Sequence, residues 1–419
     1  MNRRFVKWLL PIALVSFLAS QFWARPELRG LVSLDYWQNV LRYGKVLRLV
    51  ESKYVHAAEV DFEQFTDIAL RNAVRSLDDY SDYMIVEDYE AFNMAANQEY
   101  VGVGIEIREF SGRVTIAQVF DAGTAGRAGI LPGDAIIGVD GVDTRGENLV
   151  EVVGRIRGEP GTTVVMEIER PISNQILSFA LERMAIALDS VVDIEMKTDS
   201  VGYMKIRQFI DDTDDELFEA IATLIEQGAR GIVIDLRGNP GGRLDTAARM
   251  AEMFLEPGQT ILTVQSRRGV EDVFEARKVK RAYQEPLVIL IDGGSASASE
   301  ILAGALRDHG RALLVGQKSF GKGSVQSVIG FPGGDGLKLT SARYLLPNGE
   351  AINGTGVYPN VAVESTPEHS LLLMLQSHHL RHMSPTRFYE IFGFEPVQDE
   401  ALQVATETLG AILDMNNNE

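Results

Sequence analysis

Three serines alternate with alanines in the stretch SASASE at 295–300, which follows the apolar run Leu287 to Ile291 and the turn that begins at Asp292. A turn of small residues from a buried strand into a helix places a hydroxyl where backbone N–H groups converge. That arrangement suits a nucleophile beside an oxyanion site, and therefore acyl transfer. The spacing of Ser297 and Glu300 equally fits a capping box, in which the serine only caps the helix. The local sequence leaves both interpretations open.

A glycine-flanked lysine, Lys322 in FGKG, follows a second short apolar run, Ala312 to Val315. A lysine can accept the proton of a serine only in its neutral form, which burial favours. The glycines on either side would let the backbone carry this side chain into a closed pocket. A surface lysine in a loop is the alternative.

Strands alternate with helices around these residues. The pattern predicts strands at Val201–Ile206, Gly231–Leu236 and Leu287–Ile291, and helices at 214–228, 244–255 and from the serine stretch to about Leu306. Such alternation predicts an α/β sheet with mainly parallel strands. The glycine-rich turn RGNPGG at 237–242 follows the second of these strands.

Near residue 97 the sequence pattern changes to short predicted strands and frequent glycines. Strands are predicted from Ile105 and at Val114–Val119, Ala135–Val139 and Thr163–Ile168, with a helix at Ala122–Ala128. The loop Gly102, Val103, Gly104 and Ile105 runs into the first of these strands. Successive N–H groups on such a loop can hold the terminal carboxylate of a peptide, whose backbone then pairs with the adjacent strand edge.

Four segments together resemble the C-terminal processing peptidases, also called tail-specific proteases. They are SASASE at 295–300, VGQKSFGKGSVQ at 315–326, DLRGNPGG at 235–242 and LKLTSARYLLPNGEAINGTGVYPN at 337–360. The resemblance covers roughly residues 35–365. One departure is Asn360, where an aspartate is usual after the proline.

The resemblance implies a serine peptidase with a Ser/Lys catalytic pair. Ser297 is then the nucleophile, Lys322 the base, and Gln326 the residue that orients the lysine. Four residues of a straight strand span roughly 13 Å. Contact between Lys322 and Gln326 therefore requires a bend at Gly323.

The resemblance also implies an oxyanion hole made of two backbone N–H groups. One belongs to Ala298, and the other to Gly241, with Gly242 as the near alternative. Arg157 matches an arginine that in some relatives links peptide occupancy to the active site, although a plain surface arginine fits the sequence equally well.

In fold class, the resemblance implies an α/β, crotonase-like peptidase core with an inserted PDZ domain (α+β) and helical N- and C-terminal regions. The expected partners are protein or peptide substrates with free, apolar C-termini. Relatives often dimerise through their terminal helices, which suggests a homodimer. The expected organisation is a signal peptide or membrane anchor at 1–24, a helical region at 25–96, the PDZ domain at 97–182, the peptidase core at 183–365 and a helical region at 366–419.

Composition and charge exclude several other classes. The 419 residues are 45% hydrophobic and 24% charged, as in an ordinary globular protein. The net charge of −19, without a visible basic patch, argues against nucleic-acid binding. The absence of cysteine excludes disulfides, thiolate catalysis and cysteine-based zinc sites.

The N-terminus predicts export. Arg3, Arg4 and Lys7 precede a largely apolar stretch from Trp8 to Trp23, which is the order of an export signal. The stretch fits either a cleaved signal or an uncleaved anchor. We therefore expect the protein in a bacterial cell envelope, on the periplasmic side, either soluble or anchored in the inner membrane.

The sequence disfavours two competing functions. A non-catalytic peptide-binding protein on the same fold is disfavoured because both the serine and the lysine are present. A Ser/His/Asp protease is disfavoured because only His309 falls inside the expected core. The cluster His378, His379 and His382 lacks an H-E-x-x-H pattern, so neither a metal nor another cofactor is expected.

Overall fold

The structure is a computed structural model. It describes residues 33–56, 60–97, 101–110, 112–120, 123–170, 175–185, 189–279, 283–366 and, with short gaps, 368–416. The predicted signal or anchor at 1–24 lies outside the described residues. Among the described helices, none has the length and hydropathy that crossing a bilayer requires.

The helices are numbered in chain order. They are α1 Leu34–Lys53, α2 Phe62–Arg75, α3 Val86–Asn97, α4 Thr124–Ala128, α5 Leu149–Ile156, α6 Thr213–Glu226, α7 Leu244–Glu252, α8 Ala298–Asp308, α9 Pro385–Phe392 and α10 Glu400–Asn416.

The strands are numbered in the same way. They are β1 Asp82–Met84, β2 Val101–Gly102, β3 Ile105–Phe110, β4 Arg113–Val119, β5 Ala135–Val139, β6 Val142–Asp143, β7 Thr163–Arg170, β8 Gln175–Glu182, β9 Met184–Ala185, β10 Val191–Met196, β11 Val201–Ile206, β12 Gly231–Asp235, β13 Thr260–Ser266, β14 Gly269–Glu275, β15 Leu287–Ile291, β16 Leu313–Gly316, β17 Ser324–Gly330, β18 Gly336–Leu345 and β19 Val361–Ala362.

A six-stranded sheet, β10-β11-β12-β15-β16-β19, forms the centre of the core. All neighbours from β11 onward are parallel, and β10 is antiparallel. The residues of β12 and β15 are all buried, because helices cover both faces of a parallel sheet. Residues of α6, α7 and α8 pack on one face, and α10 packs on the other. Parallel strands end at one edge, which brings the turns after β12 and β15 together.

A second sheet, β1-β18-β13-β14 with β17 paired to β18, lies beside this core. The sequence analysis did not predict it. Strand β18 joins two distant parts of the chain, because it pairs with β1 of the N-terminal region and with β17 that follows Lys322.

The inserted domain is an antiparallel sheet, β3-β4-β5-β7-β8, with β6 paired to β5. Its own hydrophobic core includes Ile116, Val152 and Met166. Helix α5 was not predicted. The α/β core, the inserted α+β domain and the flanking helices confirm the predicted fold class.

Candidate active site

Ser297 occupies a strained turn between β15 and α8. Its backbone φ is 55°, a conformation that costs a non-glycine residue about 1–3 kcal/mol and persists only where its surroundings hold it. Two hydrogen bonds do so: the Ser297 N–H donates to Glu300 at 2.8 Å, and the Ser297 carbonyl accepts the Ile301 N–H at 3.0 Å. Such a strand-to-helix turn presents its side chain at the end of the sheet.

The three serines of the SASASE stretch differ in their surroundings. Ser295 is fully buried and donates its hydroxyl to the Leu236 carbonyl at 2.8 Å. Ser299 is also fully buried and donates to the Asn239 carbonyl at 3.0 Å. Ser297 is half-buried. Ser297 and Glu300 form a capping box at the start of α8. Unlike the hydroxyls of Ser295 and Ser299, the Ser297 hydroxyl donates to no described residue, so its proton is available to a base.

Glu300 joins the serine turn to the lysine loop. Its carboxylate is 1% exposed and accepts the N–H groups of Ser297, Gly321 and Lys322 at 2.8, 2.7 and 2.8 Å. The Ser319 hydroxyl is a fourth donor. Sequence reasoning identified Glu300 only as half of a capping box. Its bonds to the FGKG loop could not be predicted, because that loop is distant in sequence and no local pattern reveals such a contact.

The turn after β12 is hydrogen-bonded to the serine turn. Asp292 Oδ1 accepts the N–H groups of Gly238 at 2.8 Å and Gly294 at 2.9 Å. The Ala296 N–H donates to the Asn239 carbonyl at 3.0 Å. The two glycine-rich turns therefore form one rigid unit at the edge of the sheet.

Both candidate oxyanion glycines need to be glycine. Gly241 has φ 98°, and a Cβ there would lie 2.6 Å from the Ala296 carbonyl oxygen. Gly242 has φ 144°, and its Cβ would lie 2.1 Å from the Phe209 carbonyl oxygen. The backbone of this turn packs directly against Ser297, since a Gly241 Cβ would lie 2.9 Å from the Ser297 Cβ.

The hydrogen bonds distinguish these two glycines. The Gly241 N–H is already used, because it donates to Asn239 Oδ1 at 2.9 Å. Asn239 is itself fully buried and donates its amide to the Ile206 carbonyl. Neither Gly242 N–H nor Ala298 N–H bonds to any described residue. The geometry therefore favours Gly242, the alternative, over Gly241 as the partner of Ala298.

Lys322 and Gln326 are near in sequence, but their side chains are not hydrogen-bonded to each other in this structure. Lys322 is half-buried, and its ammonium lies 5.4 Å from the ring centroid of Tyr80. No hydrogen bond joins it to Ser297 or Gln326. Gln326 instead donates to Ser324 at 2.8 Å and to Thr340 at 3.3 Å.

A buried network of ion pairs supports the start of the glycine-rich turn at 237–242, the candidate oxyanion turn. Asp235, at the end of β12, is 1% exposed and accepts hydrogen bonds from Tyr203 at 2.8 Å and from Arg237 at 2.7 Å. Arg237 also binds Asp399, which precedes α10, at 2.8 Å. Burial opposes ionisation of Asp235, but the charges of Arg237 and Lys205 outweigh it and lower the Asp235 pKa to about 2.

The loop predicted to bind a carboxylate lies at the open edge of the inserted domain. Strand β3 is the edge of its sheet and lies near α5. Gly104 has φ 84°, and its Cα packs so closely against Gly123 that a Cβ would lie 2.4 Å away. The N–H groups of Val103 and Gly104 bond to no described residue. A groove between β3 and α5 with free N–H groups at one end can receive a peptide terminus.

Arg157 caps the C-terminal end of α5, and its side chain is exposed. It makes no hydrogen bond or ion pair with the described residues, so its predicted coupling role stays a prediction. Arg183, which sequence reasoning did not single out, is 8% exposed. It donates to the carbonyls of Ile156 and Arg155 at 2.7 and 3.2 Å, and so fixes the end of α5.

Metal ligands do not cluster in the described part of the chain: it holds no group of three or more histidine, cysteine or acidic residues placed to bind an ion. His378, His379 and His382 lie outside the described residues. His309, at the C-terminal end of α8, bonds to the Thr260 carbonyl at 2.7 Å.

Comparisons with known proteins agree with this geometry. Models of peptidase family S41 and of the PDZ domain match residues 200–363 and 115–170. Carboxy-terminal processing proteases CtpA and CtpB of Bacillus subtilis are 35% and 36% identical to the chain. The alignments cover 80% of the chain and 71% of CtpA, and 76% of the chain and 67% of CtpB.

Among solved structures, the photosystem II D1 C-terminal processing protease superposes with a TM-score of 0.52 at 27% identity, covering 80% of this chain and 96% of that one. With identity and coverage of this extent, the chain belongs to the carboxy-terminal processing protease family of S41 peptidases.

Proposed function

We propose that the protein is a serine endopeptidase that captures the C-terminal tail of a substrate protein in its PDZ domain and cleaves the chain by acyl transfer. The observation that carries the chemistry is the half-buried Ser297 hydroxyl, which donates to no described residue and lies in a strained turn that Glu300 links to the Lys322 loop. A strained, hydrogen-bonded turn that leaves one hydroxyl proton available is expected of a nucleophile.

In the proposed reaction, Ser297 Oγ attacks the scissile carbonyl and neutral Lys322 takes the hydroxyl proton. The N–H groups of Gly242 and Ala298 stabilise the negative oxygen of the tetrahedral intermediate. When the C–N bond breaks, the Lys322 ammonium returns its proton to the leaving amine. Water then hydrolyses the acyl-enzyme with Lys322 as base again. Gln326 keeps its predicted role of orienting Lys322, which would require one of the two side chains to rotate.

The chemistry is tested with variants of the full-length protein and a peptide substrate. Ser297→Ala should abolish cleavage and labelling by a fluorophosphonate. Lys322→Arg should be inactive although it keeps the charge, because a guanidinium stays protonated and cannot accept a proton. Lys318→Arg is the matched control and should cleave normally.

Chelators and His309→Ala should have little effect, since neither a metal-bound water nor an imidazole takes part. Cleavage by Lys322→Arg at near the wild-type rate would disprove the dyad. So would loss of activity of the folded enzyme in EDTA. A folded wild type that binds peptides but never cleaves or labels would favour the non-catalytic alternative.

Tail capture is a separate part of the proposal. The free N–H groups of Val103 and Gly104 and the open edge of β3 support it. A peptide with a free, apolar C-terminus should bind about 10–150-fold more tightly than its C-terminal amide, the range for losing a hydrogen bond to a charged group. Calorimetry measures the ratio, and equal affinities would remove carboxylate capture while leaving the dyad untouched.

The location is also a proposal. The basic and apolar start of the chain supports export to the periplasmic side of a bacterial envelope. Cell fractionation followed by N-terminal sequencing tests it and distinguishes a cleaved signal from an anchor. Recovery of the intact protein in the cytosol would contradict export.

A further inference from the structure

The ring of Tyr80 lies against the proposed catalytic base. The Lys322 ammonium is 5.4 Å from the ring centroid, within the distance at which an aromatic face attracts a cation. Both side chains are half-buried. The ammonium makes no hydrogen bond or ion pair with the described residues, so the ring is the one specific contact that they offer it. Tyr80 comes from the N-terminal region, more than two hundred residues before the lysine.

The turn that carries Tyr80 is firmly held. Asp78 Oδ1 accepts the N–H groups of Tyr80 and Ser81, each at 2.8 Å, and its second oxygen accepts the Ser81 hydroxyl at 2.9 Å. Ser81 is 2% exposed. The backbone that carries the aromatic ring is therefore held in place, whereas no described hydrogen bond holds the lysine side chain.

Gln326 belongs to the same polar cluster. Thr340 on β18 donates its hydroxyl to Asp78 at 3.1 Å, and its N–H to the Ser81 hydroxyl at 3.0 Å. Gln326 donates to that same Thr340 hydroxyl at 3.3 Å. In this structure hydrogen bonds through Thr340 and Asp78 connect Gln326 to the turn that carries Tyr80.

The phenol of Tyr80 does not compete as a base. Burial, followed by the negative charges of Asp79, Glu300 and Asp78, raises its pKa above 10.0, so it stays protonated at neutral pH. The Glu300 carboxylate also faces the lysine loop and accepts the Lys322 backbone N–H. The ring and these carboxylates all attract the Lys322 ammonium.

We propose that Tyr80 is a positioning residue that holds Lys322 charged and away from Ser297 in the resting enzyme. This inference rests on the proposed role of Lys322 as base. For catalysis, the lysine must leave the ring, lose its proton and turn towards the Ser297 hydroxyl. Release of the lysine from the ring is thus coupled to the loss of its proton.

The test is the pH dependence of kcat/KM for full-length variants with the peptide substrate. Tyr80→Leu removes the attraction for the cation and should move the rising limb of the profile to lower pH by about half a unit, as expected for a cation–π contact. Tyr80→Phe keeps the ring and should retain the wild-type midpoint. Tyr358→Leu is the matched control, because it removes a ring that lies 5.8 Å from Lys318 and outside the site.

An unchanged midpoint in Tyr80→Leu, with the variant folded by circular dichroism, would overturn the inference. So would a Tyr80→Phe profile that matches Tyr80→Leu, since the hydroxyl and not the ring would then be responsible. Fluorophosphonate labelling separates this result from a failure of the proposed function. If Ser297 labels and Lys322→Arg is inactive while Tyr80→Leu keeps its midpoint, only the role of Tyr80 fails.

Discussion

The serine side and the lysine side of the site are built differently. On the serine side, two glycine-rich turns are hydrogen-bonded to each other and to Glu300, and Ser297 is held in a strained conformation. On the lysine side, Glu300 fixes the backbone of Lys322, but the side chain only rests on the Tyr80 ring.

This difference follows from what each side must do. An oxyanion site works because its donors are already aimed at the transition state and need no rearrangement. A base only has to reach a proton, and a lysine changes rotamer within nanoseconds without breaking backbone hydrogen bonds. The side chain of Lys322, the proposed base, is therefore the part of the site whose movement disturbs the least structure.

Gly241→Ala disturbs the rigid serine side directly and should cause the largest loss of kcat/KM. The added Cβ would lie 2.6 Å from the Ala296 carbonyl oxygen and would push the two turns apart. A displacement of about 1 Å can cost 10²-fold in rate, so we expect kcat/KM to fall by about that much or more.

Gly293→Ala is the matched control, because it lies in the neighbouring strand-to-helix turn, after β15, with no atom within 4 Å of its Cβ. Steady-state kinetics on both variants decide the matter. Near-normal activity in Gly241→Ala would show that the turn is softer than its hydrogen bonds suggest.

Glu300→Gln tests the link between the two sides. An amide nitrogen donates where the carboxylate oxygen accepted, so at least one of four donors loses its partner, at about 1–3 kcal/mol. Because the serine turn and the lysine loop then separate, kcat should fall roughly tenfold while KM changes little.

Glu216→Gln provides the control. That carboxylate accepts three hydrogen bonds, from the hydroxyl and N–H of Ser190 and the N–H of Val191, away from Ser297. It should lower the free energy of unfolding with kcat unchanged. Equal kcat in the two variants would mean that Glu300 serves stability alone.

The third prediction concerns acid stability and has the smallest effect at neutral pH. The pKa of Asp235 is about 2 in the folded protein and near 3.8 when unfolded. Its ionisation therefore stabilises the fold fully above pH 4, and that contribution of about 2 kcal/mol disappears as pH falls through 2.

Urea unfolding between pH 5 and 2 should show this loss in the wild type and a flatter curve in Asp235→Asn. Parallel curves for the two proteins would contradict the depressed pKa.

The core could be predicted from sequence because its signals are local. Strands β11 and β15 begin and end at the predicted residues, since each is an apolar run bounded by turn residues. The second sheet was missed because its strands are partly polar and pair over long separations: β1 and β18 are about 250 residues apart. Register between such distant strands depends on tertiary packing, which no local pattern encodes.

In the candidate site, too, the features with local sequence signals could be predicted and those that depend on distant contacts could not. Ser297 and its neighbouring turns follow from small residues after a buried strand, and the chain order of those turns is visible in the sequence. The partners of Lys322 do not follow from it. Tyr80 and Glu300 approach the lysine from separate regions. Gln326, four residues away, donates to Ser324 and Thr340 instead, on a strand whose register shifts between Val325 and Gln326.

Helix α10, the last described helix, determines when the proposed site can assemble. Leu409 of α10 covers Gly231 of the central sheet, and Asp399 braces Arg237 at the start of the oxyanion turn. We predict that a chain ending at residue 398 is inactive and exposes hydrophobic surface, which fluorophosphonate labelling and dye binding would measure; normal labelling would refute this. The proposed site would thus assemble only after α10 has been synthesised and docked on the central sheet.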